Sequence, residues 1–368
     1  MHRVLVLALA SLLLAGWLEA ATFTVNYVGD VADFVPGDGV CRVAAVGTRC
    51  TLRAAVQEAD ALAGPDIIVV PAGTYNLTIA PADGSPATGD LELLEEVEIR
   101  GAGPGLTIVD GGGLDRIFEV APSGGSFAVV IEGLTIRNGS AAGGGGILNN
   151  GNLTLRHCVV TQNTTNNSGG AGIKSATGST LVVEDCVISN NNETNGSGGG
   201  IALGTATTLT LRNSLVENNT AAFTGGGIYV GGTGTIEGAT IRNNTANAPA
   251  SFTIYGGGGI AAGYPIPFGL LFIRNTTISG NVASNAGGGG LQNQGSGVYL
   301  INVTISGNTA ATQGGGIWDN FSAGSVGLYN CTITNNSAAT GGGLYVSPGR
   351  SAFSSATILA NNTGDNCA

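Results

Sequence analysis

The chain has 368 residues, 64 of them glycine, with 43% apolar residues, only 10% charged residues and a net charge of −11. That balance excludes a basic footprint for nucleic acid or an anionic membrane, and the high apolar content with so few charges excludes disorder. No cofactor and no metal are expected, because no Cys-x-x-Cys occurs and one of the two histidines, His2, lies in the first residues.

The first element is a leader, "MHRVLVLALASLLLAGWLEA". Arg3 supplies the positive start, Val4 to Gly16 the apolar run, and Ala20 a small residue for cleavage. Residues 1–20 therefore read as a secretory signal peptide, the run being shorter than the ~20 residues of a membrane span. The mature chain is expected to be exported, extracellular or on the cell surface, with no transmembrane span. Disulfides are permitted in that compartment.

Residues 21–66 read as an N-terminal cap. Asp30, Asp33 and Asp38 cluster before Cys41, at a spacing that fits no EF-hand loop, so they read as turn residues. Cys41 and Cys50 are close in sequence and near the mature N-terminus, which pairs them as a disulfide. In "CTLRAAVQEADALAG", Leu52, Ala55, Val56, Ala59 and Leu62 stand at helical spacing and Gly64-Pro65 stops the pattern. The expectation is a short helix near 51–63 that covers one end of the fold.

Residues 67–368 are repetitive. Runs of glycine end in an apolar residue at Ile147, Ile173, Ile201, Ile228, Ile260, Leu291, Ile317 and Leu344, at intervals of 26, 28, 27, 32, 31, 26 and 27 residues. Between the runs lies a second phrase, as in "LRHCVVTQN", "VEDCVISNN" and "LYNCTITNN". Its alternating β-branched residues are strand-like, and nothing between runs is long or periodic enough for a helix. A unit of short strands that cannot bury an apolar face alone must stack, and this unit reads as one coil of a right-handed parallel β-helix. The aligned apolar column runs through Ile136, Val160, Ile188, Val216, Ile241, Ile278, Ile305, Ile333 and Ile358, pointing inward with Cys158, Cys186 and Cys331 two residues before it. Cys158 and Cys186 fall in adjacent coils and read first as core filler. Three residues after the apolar column come Asn163, Asn191, Asn219, Asn244, Asn281, Asn308, Asn336 and Asn361, which read as a structural ladder of side-chain amides at a turn. The glycine runs lack the GK[ST] of a phosphate loop and the aspartates of calcium-binding β-rolls. They read as turns that require positive φ or a backbone approach too close for a Cβ.

Cys50-Thr51-Leu52-Arg53-Ala54-Ala55 resembles the CSLREA-type N-terminal domain of exported bacterial β-helix proteins, departing from it at Thr51 and Ala54. Val69-Val70-Pro71-Ala72-Gly73-Thr74-Tyr75 resembles that family and pectin-lyase-like β-helices. The Gly-Gly-Gly-Ile and Ile-x-x-Asn pairs are similar to the GGAI and FxxN repeats of polymorphic outer-membrane proteins. The resemblance covers nearly the whole mature chain and implies fold and export more than activity.

The pectin-lyase-like resemblance implies an enzyme reading, a polysaccharide lyase or glycoside hydrolase acting on acidic polysaccharide through clustered carboxylates. The repeat's acids, Glu184, Asp185, Glu193, Glu217, Glu237 and Asp319, do not gather in one aligned column, and His157 has no acid in its own phrase. A non-catalytic, adhesin-like or glycan-binding surface protein is therefore the expectation. Its candidate binding residues are Tyr229, Trp318 and Tyr345, which follow the glycine-run apolar residue and point outward. The competing reading packs these aromatics beneath turns. A threonine column, Thr240, Thr277, Thr304, Thr332 and Thr357, leaves an ice-binding surface as a remote alternative.

Overall fold

The computed structural model describes residues 20–62, 64–82, 87–121, 127–251, 254–263, 269–320 and 324–368. The leader expected over residues 1–20 lies outside them except for Ala20.

Each coil is a set of short strands that turn about one axis. In one coil the chain runs through Asn152–Arg156, Val159–Thr161, Thr164–Thr165 and Ile173–Ser175 before Thr180–Glu184 begins the next. Corresponding strands pair in parallel and in register, Leu153 with Leu181, Val160 with Ile188, Ile173 with Ile201. Among the described residues the strands form four sheets of 12, 11, 10 and 7 strands. We call the 12-stranded one the wide sheet and the 10-stranded one, which follows the glycine runs, the glycine-side sheet. Alternate residues point inward, and the buried ones form one continuous apolar column. This is the right-handed parallel β-helix that the repeat implies.

Two turns recur in left-handed conformation. Between the wide sheet and the 11-stranded sheet stand His157, Asp185, Asn213, Asn275 and Asn330, with φ from 48 to 55°. Asn is the common choice because its short side chain tolerates this region; His157 and Asp185 are departures. A second left-handed column, Gln162, Asn190, Asn218, Asn243 and Asn335, precedes the buried asparagines.

Those asparagines form a closed hydrogen-bond ladder. The Nδ2 of Asn219 donates to the Oδ1 of Asn244 at 3.0 Å and to the carbonyl of Ile188 at 2.9 Å, and its backbone N–H donates to the same Oδ1 at 3.0 Å. The pattern repeats at Asn163, Asn191, Asn244, Asn281, Asn308 and Asn336. The last rung is a correction: it is Asn362, not Asn361. Asn361 has φ +56° and occupies the left-handed turn position, while Asn362 accepts from Asn336. The whole last phrase shifts by one residue. Leu359 pairs with Ile333, so Ile358 points out and is 61% exposed. Thr357 stands beside Cys331, its hydroxyl accepting from the Cys331 N–H, and so leaves the threonine column.

The glycine run has a separate reason at each position, as Gly314, Gly315 and Gly316 show. Gly314 has φ +60°. A Cβ on Gly315 would stand 2.5 Å from the carbonyl oxygens of Gly342 and Ser337 in the next coil. One on Gly316 would stand 2.5 Å from the Gly343 carbonyl and 3.1 Å from the Asn336 amide, so glycine run and Asn ladder fit against each other.

The cap helix α1 spans Leu52–Ala61. Thr51 caps it, its hydroxyl accepting from the Ala54 N–H at 3.0 Å. Leu52, Ala55, Val56 and Ala59 bury against the first coils. Arg53 is wholly buried, pairing with Asp30 at 2.7 Å and donating to the carbonyls of Gly89 and Asp90. Cys41 and Cys50 are joined as a disulfide, and Thr22–Thr24 adds a strand to the wide sheet beside Asp66–Val70.

Candidate functional site

The acids of the repeat take their places from strand register. At the end of each wide-sheet strand one residue points to solvent, and pairing sets Arg100, Glu132, Arg156, Glu184, Arg212, Glu237 and Arg274 in one row. The charges alternate from coil to coil. Glu184 pairs with Arg156 at 3.3 Å and Arg212 at 3.0 Å. Aligning acids alone hides this row, because an arginine separates each from the next. Glu217 is held by Arg242 at 2.7 Å on the neighbouring sheet.

His157 follows Arg156 in the turn. Its Nδ1 lies 3.6 Å from Glu132 and its Nε2 3.9 Å from Asp185, one acid from the coil on each side. The sequence phrase contains neither acid because both come from neighbouring coils. Glu98, Arg100, Glu132 and His157 line one open cleft of about 500 Å³.

The glycine-side sheet carries a second cleft, of about 390 Å³. Lys174 and Tyr229 stand on its walls two coils apart in one outward column, with Asn167, Ser168, Asn195 and Ser197 from the preceding turns around them. Burial lowers the Lys174 pKa, Glu193 opposing and Arg116 reinforcing that shift. No carboxylate comes within 4 Å of this ammonium among the described residues. Glu193 is itself buried, its carboxyl raised by desolvation and its Oε1 accepting from the Asn195 N–H at 2.8 Å. Lys174 follows Ile173 as Tyr229 follows Ile228, so the column that carries the candidate aromatics also carries this cation.

Those aromatics separate. Tyr229 lines the cleft. Trp318 pairs in register with Tyr345, yet it is only 6% exposed, which removes it as an exposed binding ring and agrees with the competing reading that packs it beneath a turn. Its indole packs on the turn of the preceding coil, where a Cβ on Gly287 would stand 2.7 Å from Cδ2, and its Nε1 lies 3.4 Å from the Ser347 hydroxyl. Tyr345 is half-buried beside it. Asp319 points inward. Burial raises its carboxyl, while Arg350 at 2.9 Å and Asn293 at 2.8 Å counter the shift. Thr240, Thr277, Thr304 and Thr332 do align, but Ile358 occupies the next coil.

The cap's aspartates each serve a separate loop. Asp30 holds Arg53 and the N–H groups of Thr78 and Ile79, Asp33 accepts from the N–H groups of Val35 and Arg42, and Asp38 pairs with the Arg42 side chain. Among the described residues no group of His, Cys, Asp or Glu side chains is arranged to hold a metal ion. No described helix is long and apolar enough to cross a membrane.

Residues 302–320, which contain one complete Asn-turn and glycine-run unit, match the Chlamydia polymorphic membrane protein repeat. Among solved structures, the chain is similar to the A-module of mannuronan C-5 epimerase AlgE4 from Azotobacter vinelandii, at 16% identity and a TM-score of 0.50, over 93% of this chain and 94% of that one. It is also similar to the catalytic unit of a GH87 alpha-1,3-glucanase from Streptomyces thermodiastaticus, at 16% identity and a TM-score of 0.42, over 85% and 67% of the two chains. Pectate lyase Pel9A aligns at 12% identity and a TM-score of 0.41, over 94% and 79%. No curated protein matches the chain. Residues 98–246 match the family of the right handed beta helix region and the described coils pair in parallel, so the fold of the chain is a right-handed parallel β-helix.

Proposed function

We propose that this is an exported, non-catalytic surface protein that binds a carboxylate-bearing polysaccharide in the Lys174–Tyr229 cleft. The observation that carries the reading is the state of Lys174. Its ammonium is partly desolvated and no carboxylate pairs with it directly among the described residues, Glu193 acting on it only from a distance, so an anionic ligand in the cleft adds a direct partner. Tyr229 adds an aromatic side chain to the wall of the cleft, and the asparagine and serine side chains around it suit sugar hydroxyls. The rigid stack of coils keeps these groups at fixed separation, which lowers the ordering cost of binding an extended chain. The mannuronan epimerase that shares the fold also meets a polysaccharide.

Binding of the mature protein to polygalacturonate and alginate, against neutral dextran, tests the reading. Lys174→Ala and Tyr229→Ala are each expected to weaken binding to the acidic polymers about tenfold. Equal binding to dextran, or no loss in either variant, would sink it.

A second reading has its own observation, the placement of His157 between Glu132 and Asp185 in the other cleft. A histidine so flanked is a candidate general base for a lyase or hydrolase. Incubation with the same polymers, following unsaturated products and reducing ends, separates the two. Turnover that His157→Ala abolishes would replace binding by catalysis.

A further inference from the structure

The C-terminal coils carry an aromatic strip on the wide sheet, on the outward face whose N-terminal coils line the His157 cleft, and away from the Lys174–Tyr229 cleft on the glycine-side sheet. Register sets Phe272, Tyr299, Gly327 and Phe353 in one outward column over four successive coils. Phe272 and Tyr299 stack, with ring centroids 5.3 Å apart and planes 17° from parallel. Tyr329, two residues beyond Gly327, leans back over it: a Cβ on Gly327 would stand 3.0 Å from the Tyr329 ring and 3.1 Å from the Tyr299 ring. Glycine at this position therefore leaves room for the two rings beside it. Phe353 is 61% exposed and Tyr329 40%. The Arg274 guanidinium sits 5.4 Å from the Phe272 ring centroid, and no carboxylate lies within 4 Å of it among the described residues.

A contiguous apolar patch on a surface this polar marks a contact site. We infer that the strip is a second subsite for a carboxylate-bearing polysaccharide, lying along the helix axis with sugar faces on the rings and a carboxylate on Arg274. The inference rests on the polysaccharide reading above and extends it to a second face. Three features favour this occupant. The column spans four coils, about 14 Å along the axis at about 4.8 Å per coil, the shape of a linear polymer rather than of a compact ligand. The rings lie on hydrogen-bonded strands, so little freedom remains to be lost on binding. The cation that ends the alternating row is the one stacked on a ring, which places an anion site against an apolar face.

The test compares the full mature chain with a Tyr299→Ala/Phe353→Ala double variant, Arg274→Gln and Lys174→Ala, by affinity electrophoresis in polygalacturonate and alginate, with dextran as the neutral arm. The double variant and Arg274→Gln are each expected to weaken binding to the acidic polymers about tenfold, with circular dichroism unchanged. Combination with Lys174→Ala is expected to weaken binding further. Intact binding in both strip variants, with Lys174→Ala impaired, would overturn the strip while leaving the cleft standing. Failure of the wild-type chain to bind any polymer would overturn both. Concentration-dependent self-association that the double variant abolishes, without any change in polymer binding, would assign the patch to a protein contact and overturn the inference.

Discussion

The buried asparagines show how one side chain satisfies several backbone groups. Asn244 accepts two hydrogen bonds from Asn219 and donates to the Val216 carbonyl at 2.9 Å, all in the interior. Asn244→Ala therefore orphans two donors and an acceptor, each costing about 1–3 kcal/mol when buried. The expected loss is about 3 kcal/mol or more, read from the guanidinium midpoint. Asn243, one residue earlier, has φ +55° and serves the turn alone. Asn243→Gly keeps that conformation available and is expected to change stability by less than about 0.5 kcal/mol. Equal losses at the two positions would contradict the separate roles. A doublet such as Asn243-Asn244 also explains why the sequence pattern misplaces the last rung. Asn361 and Asn362 are identical in type, and Ile358 and Leu359 are both apolar, so pattern alone admits either frame. Burial and pairing settle it, since a slip of one residue turns every side chain to the other face.

At the scale of an element, the cap helix carries one acid, Asp60, and faces another, Asp90, and burial has made both hard to ionise. Burial pushes the Asp60 carboxyl up to about 7, with the Leu94 and Glu95 N–H groups opposing and Glu92 and Glu95 adding repulsion. Burial also takes Asp90 to about 7, with Arg116 opposing and Asp115, Glu119 and Glu92 reinforcing. Each folded pKa lies above its unfolded value near ~4, so the folded cap holds these protons more tightly than the unfolded chain does. Their contribution is complete below about pH 4 and is lost as pH rises through about 7. Amide exchange of Leu52–Ala61, corrected for intrinsic rate, is expected to lose protection between about pH 5 and 8. Asp60→Asn should flatten that dependence, and a slope preserved in both Asp60→Asn and Asp90→Asn would exclude this origin. The helix is legible in the sequence from its apolar spacing and Thr51. The buried Arg53–Asp30 pair is not, because nothing local marks a surface-type residue as the one that enters the core.

Over the whole molecule, what sequence shows best is what stacking repeats. Parallel strands in register place each aligned position in one row, so the apolar column, the Asn ladder and the glycine runs are legible as rows in the amino-acid sequence itself. Solvent exposure is not, as Trp318 shows: alternation turns it outward from its sheet, and the turn at Gly287 then covers it. The charged row from Arg100 to Arg274 escapes alignment for another reason, since its period is two coils and neither sign repeats in every coil. That row makes a prediction about the stack. Like charges in adjacent coils would stand about 4.8 Å apart, and each arginine–glutamate alternation avoids one such contact. Glu184→Arg would place three cations in succession with Arg156 and Arg212, and would remove both ion pairs. Exposed pairs contribute about 0.2–1 kcal/mol each, so the combined loss in melting stability should be about 1–2 kcal/mol at low salt. Raising salt to ~1 M shortens the screening length to about 3 Å and should restore most of the repulsive part. Glu184→Gln, which removes the pairs without adding a cation, should lose less and respond to salt less. If the two variants melt alike at both salt concentrations, alternation along the axis contributes nothing to holding the coils together.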